Sequence, residues 1–76
     1  GAEIDLLLTL PGGELWAIEI KRSLQPKLER GFHHACDDLS PAKRLLIYPG
    51  RERYPLADGV EVMPVVVAGH ALLAEV

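Results

Sequence analysis

The sequence predicts a small α/β domain with a mixed sheet, and three observations predict it. Two alternating apolar segments flank a glycine-containing turn, a helical stripe follows, and two short apolar strands come after it. The predicted element order is β-β-α-β-β-α. With 76 residues the chain holds one domain. A chain of this size buries only about 60% of its unfolded surface, so the core is expected to be thin. A partner, a second copy or flanking sequence would reinforce it.

Ala2 to Leu10 alternates, with Ile4, Leu6, Leu8 and Leu10 on one face and Glu3, Asp5, Leu7 and Thr9 on the other. Pro11-Gly12-Gly13 reads as a turn, and Glu14 to Lys21 alternates again. Two such runs around a short glycine loop predict a hairpin. If Leu10 and Glu14 flank the loop, Leu8 faces Trp16, Leu6 faces Ile18 and Ile4 faces Ile20. On the other face, Asp5 lies opposite Glu19 and Glu3 opposite Lys21. A slip of one residue would scatter the apolar face, so the parity is well specified. A slip of two would keep it but separate Asp5 from Glu19.

Pro26 to Leu39 is predicted helical, with Leu28, Phe32, Ala35 and Leu39 as the core stripe and Gly31 as a weak point. Ser40-Pro41 ends it, because a residue before proline avoids the α region. Lys43 to Tyr48 is a short strand stopped by Pro49-Gly50. Strand, helix and strand in that order imply a parallel crossover. Arg51 to Gly59 reads as a polar loop and Val60 to Met63 as another strand. Pro64 opens a last helix from about Val65 to Ala74, although Val65-Val66-Val67 also favours strand. The first helix covers one face of the sheet; the other face is expected to need a cover.

Composition narrows the functional classes. Apolar residues make up 49%, charged residues 25%, and the net charge is −3. This is globular composition without the basic excess of a nucleic-acid carpet. The single cysteine, Cys36, excludes an internal disulfide and points to a reducing, cytoplasmic setting. No signal-peptide pattern and no membrane-spanning run is visible. The chain opens at Gly1 inside strand-like sequence, which points to a piece of a longer chain.

The expected chemistry lies on the polar face of the hairpin. Asp5 and Glu19, in register, bring two carboxylates to about 5 Å at their β-carbons. Their repulsion is relieved by a divalent cation with oxygen ligands, Mg²⁺ or Mn²⁺. Lys21 shares the face and could orient water or stabilise a phosphoryl oxygen. The same alternation also describes a solvated outer face. Arg22, Lys27 and Arg30, with His34, Lys43, Arg44, Arg51 and Arg53, could track a phosphate backbone or simply solvate the surface. His33, His34, Cys36 and Asp37 match no zinc spacing and read as a polar helix flank. Trp16, alternating with Ile18 and Ile20, reads as core.

Gly1-Ala2-Glu3-Ile4-Asp5-Leu6 and Trp16-Ala17-Ile18-Glu19-Ile20-Lys21-Arg22-Ser23 resemble the C-terminal domain of unknown function of prokaryotic AAA+-type ATPases. Gly31-Phe32, Cys36-Asp37-Asp38-Leu39 and Tyr48-Pro49-Gly50 extend the resemblance over most of the chain. It implies a restriction-endonuclease-like, PD-(D/E)xK core, here without the usual N-terminal helix. By position, Asp5 and Glu19 become metal ligands, Lys21 the catalytic lysine, the Ile20 carbonyl part of the metal shell, and Glu3 or Gln25 accessory. The implied activity is metal-dependent hydrolysis of DNA, with an ATPase domain of the same longer chain as partner. No Gly-x-x-x-x-Gly-Lys-Ser/Thr loop occurs in these residues, so no P-loop ATP site is expected within them. The alternative is a non-catalytic module that binds nucleic acid or forms a homo-oligomer.

Overall fold

The computed structural model describes residues 4–75. Strand β1 (Leu6–Thr9) and strand β2 (Leu15–Ile20) form the hairpin, with Leu6 opposite Ile18 and Leu8 opposite Trp16, as the loop length predicts. Two backbone bonds close the turn: Leu10 N donates to Glu14 O at 2.8 Å, and Gly13 N to Leu10 O at 2.8 Å. Gly13 has φ of 88°, a left-handed value that glycine adopts without a Cβ penalty.

Helix α1 (Arg30–Leu39) carries the chain to strand β3 (Lys43–Tyr48), which pairs with β2 in parallel. The chain then forms a two-residue strand, β4 (Tyr54–Pro55), a 3₁₀ turn (Ala57–Gly59), strand β5 (Val60–Pro64) and helix α2 (Val65–Leu73). The five strands lie in the order β1-β2-β3-β5-β4. The three inner strands are parallel, and the two edge strands are antiparallel to their neighbours.

Side-chain parity divides the core. On one sheet face Ala17, Leu46, Tyr48, Val60 and Val62 pack with Phe32 and Cys36 of α1. On the other, Trp16, Ile18, Leu45 and Met63 pack with Ala68 of α2. The second face therefore has its cover inside the chain: Val67, Ala68, Ala71 and Leu72 form one side of α2. Burial of that side carries Val65-Val66-Val67 into a helix against its strand propensity.

Four expectations are corrected. First, α1 begins at Arg30, not Pro26; residues 26–29 run non-helical, and Leu28 packs into the core from there. Gly31 is thus the second helical residue, where a glycine costs less than in the middle. Second, Leu39 is 40% exposed and does not finish the core stripe; Cys36, fully buried, holds that side instead. Third, Ile4 does not join Leu6 and Leu8. The backbone bends at Asp5, and Ile4 packs on the α1 side. Fourth, the polar loop contains β4, whose Tyr54 pairs opposite Val62.

Tyr48-Pro49-Gly50 has a physical basis. The Tyr48 hydroxyl donates to Glu52 O at 2.6 Å and accepts from Glu52 N at 3.0 Å, fastening the loop beyond the strand. The ring lies across Gly50, where a β-carbon would overlap it.

Candidate functional site

The predicted site residues gather at the carboxyl end of β2, where ligands bind in open α/β sheets. The bend at Asp5 removes Ile4 from the ladder position opposite Ile20. The Asp5 carboxylate takes the vacated place: Ile20 N donates to Asp5 Oδ2 at 2.8 Å. That bond fixes the carboxylate against the strand end and engages the backbone N–H of Ile20, one of the predicted ligand residues.

Glu19 lies on the α1 side of β2 and is 8% exposed, the one charged residue buried among those described. Its carboxyl group hydrogen-bonds with that of Asp5. Burial pushes Glu19 up to about 7, and the bond and like charge of Asp5 push the same way. Asp5 moves down, chiefly because it accepts from Glu19 and also from the Ile20 N–H. Each acid shifts the other, so their titration belongs to the pair.

Lys21 continues the strand. Its N–H donates to Ile47 O at 2.9 Å, which ties the backbone to β3. Its ammonium lies 3.5 Å from Glu29 Oε1 and close enough to lower both Asp5 and Glu19. Glu29 is the site residue that sequence reasoning missed. It is the N-cap of α1 but makes no side-chain cap bond; its carboxylate turns to Lys21. The sequence places Glu29 inside a helix that begins at Pro26, and only the later start of α1 brings its carboxylate to Lys21.

The remaining predicted residues separate. Gln25 lies in an exposed turn where its N–H donates to Ser23 Oγ at 3.0 Å, and its side chain makes no hydrogen bond to the carboxylate pair. Glu3 lies outside the described residues. Arg22, Lys27 and Arg30 are exposed along the segment between β2 and α1. Lys27 precedes the helix and so shares no helical face with Arg30 and His34. Asp37 pairs with Arg44 at 3.4 Å. Cys36 is free, and burial pushes its thiol up, which keeps it protonated and inert. Trp16 is core: its Nε1 donates to Glu14 Oε1 at 3.1 Å, and Lys43 Nζ sits 4.8 Å from the ring centroid.

The donor set favours a hard cation. Two carboxylates that cannot both ionise cheaply are what a divalent ion relieves. Among the described residues no group of three or more His, Cys, Asp or Glu side chains could hold a metal. Two carboxylates are too few for a closed cage; an ion of the magnesium type, which keeps most of its waters, is the kind such a pair could hold.

Fold and site define a mixed α/β domain with a coupled carboxylate pair and a lysine at one strand end. The chain belongs to the family described as Domain of unknown function (DUF4143), which matches residues 1–67. Uncharacterized proteins of Mycobacterium bovis and Mycobacterium tuberculosis are each 40% identical to it over 63 residues. The match covers 83% of this chain and 14% of each relative, so the chain spans about one seventh of their length. No solved structure matches. No helix among the described residues is long and apolar enough to cross a membrane.

Proposed function

We propose that this chain is the metal-binding half of a restriction-endonuclease-like domain that serves an AAA+-type ATPase, and that it hydrolyses phosphodiester bonds of DNA. The observation that carries this reading is the Asp5–Glu19 pair beside Lys21 at the end of β2. Asp5 and Glu19 would hold Mg²⁺ or Mn²⁺ once Glu19 is deprotonated. A bound cation supplies charge to a phosphoryl oxygen and lowers the pKa of its water. Lys21 then offers an ammonium to a second phosphoryl oxygen or to the attacking water. Arg22, Lys27 and Arg30, exposed between the end of β2 and the start of α1, would suit backbone phosphates.

The test is a calorimetric titration of Mn²⁺ and Mg²⁺ into the wild type and Asp5→Ala, followed by a DNA cleavage assay with Lys21→Ala. Binding that disappears in Asp5→Ala, with cleavage lost in Lys21→Ala, supports the reading. Cleavage that survives Lys21→Ala unchanged removes the proposed mechanism.

One observation favours a second reading, a non-catalytic module that self-associates. Leu6 and Leu7 of the edge strand β1 are each 43% exposed, one on each face of the sheet, and Ile20 is 53% exposed, so apolar side chains flank the open edge.

A further inference from the structure

We propose that Glu29 is a positioning residue for Lys21, and that α1 gives up its side-chain cap for this purpose. The inference rests on the nuclease reading above and adds a residue to it.

Three observations converge. Glu29 has the extended backbone of an N-cap, with φ of −92° and ψ of 161°, yet makes no side-chain cap bond. Its carboxylate lies 3.5 Å from Lys21 Nζ instead. Both ends of the pair are anchored by backbone bonds: Lys21 N to Ile47 O at 2.9 Å, and Phe32 N to Glu29 O at 3.2 Å. The start of α1 and the end of β2 are thereby joined across the segment that carries Arg22 and Lys27.

The chemistry explains why a lysine here would need such a partner. A lysine side chain is flexible and its ammonium is a point charge with no preferred plane. Left alone beside Asp5 and Glu19, it would collapse onto the carboxylate pair and occupy the cation's place. Glu29 gives the ammonium a carboxylate of its own, which holds it beside the pair and not on it. Glu29 is largely solvent-exposed, with its side chain 76% accessible, so the contact is weak as a stability device. Its worth lies in placement.

A merely structural role predicts the opposite of a positioning role in one variant. Glu29→Ser supplies a competent cap, because a serine at the N-cap is a strong acceptor for the free N–H groups of the first turn. Thermal stability should hold or rise in Glu29→Ser, while Mn²⁺-dependent cleavage falls by up to about a hundredfold, the loss that a misplacement of about 1 Å can bring. Glu29→Gln keeps the length and removes the charge, and should show the same loss. In both variants the Lys21 side-chain resonances should shift by NMR. Wild-type cleavage rates with unmoved Lys21 resonances would overturn the proposal. If the wild type neither binds Mn²⁺ nor cleaves, the nuclease reading fails separately. The Lys21 resonances then decide alone: movement in Glu29→Ser supports the positioning contact, and no movement overturns it.

Discussion

Glu19 sets the charge of the site and couples it to pH. It is buried, and its pKa is raised from 4.5 to about 7. An acid whose folded-state pKa is raised stabilises the fold fully below its unfolded pKa, and the contribution is lost as the pH climbs through about 7. Asp5 works the other way: its lowered pKa contributes above 3.8 and is lost in more acid solution. The wild type should therefore lose stability between pH 5 and pH 8, by roughly 2 kcal/mol after allowance for solvent screening of the exposed Asp5. Glu19→Gln, which copies the protonated acid and still donates to Asp5, should flatten that slope. Thermal melts of both proteins across this range check it; parallel slopes would contradict it. Gly50 makes a purely steric case. A methyl group there meets the Tyr48 ring, which is held by two bonds to Glu52. Gly50→Ala should cost about 1–3 kcal/mol, as overpacking does, readable in urea unfolding.

At the scale of elements, the hairpin and β3 were legible because their signals were redundant. Loop length, glycine and alternation all fixed the register of β1 on β2, and the residues of β3 end at a Pro-Gly stop. The register predicted Asp5 opposite Glu19, but the ladder ends at Leu6, and Asp5 reaches the end of β2 through a bend. The bend that turns Ile4 away was hidden, because alternation continues through it in the sequence. The start of α1 was misread since Pro26 and Leu28 fit a helix equally well; the pairing of Glu29 with Lys21 and the packing of Leu28 from non-helical backbone appear only when tertiary contacts are present. A two-residue edge strand such as β4 leaves no periodic trace at all. Helix α2 offers an element-scale prediction. Gly69 lies in its interior, and a β-carbon there would meet nothing within 4 Å. Gly69→Ala should raise stability by about 0.5–1 kcal/mol through backbone entropy alone, seen as a higher midpoint in thermal melting.

Across the whole molecule, the two sheet edges are treated differently. β4 is two residues long, contains Pro55, and is flanked by an Arg53–Glu61 ion pair. Short length, proline and charge are the devices by which edges are kept from pairing. β1 has none of these: it reads Leu-Leu-Leu-Thr, and one of its sides has no strand neighbour. Its unpaired backbone and its leucines suit addition of another strand, and two copies related by a twofold axis would join in antiparallel fashion. The non-catalytic reading thus makes a definite prediction. Light scattering should show association that grows with concentration in the wild type and is abolished in Leu7→Lys, which places a charge on the open edge while melting stays nearly unchanged. A wild type that stays monomeric at high concentration would remove that reading and leave the carboxylate pair as the main functional feature. Association in the wild type that disappears in Leu7→Lys, with metal binding retained, would separate the two features: an edge for assembly and a strand end for chemistry. That separation is physically reasonable, since the exposed edge of β1 and the Glu19 side chain are turned in different directions, one in the plane of the sheet and the other toward α1.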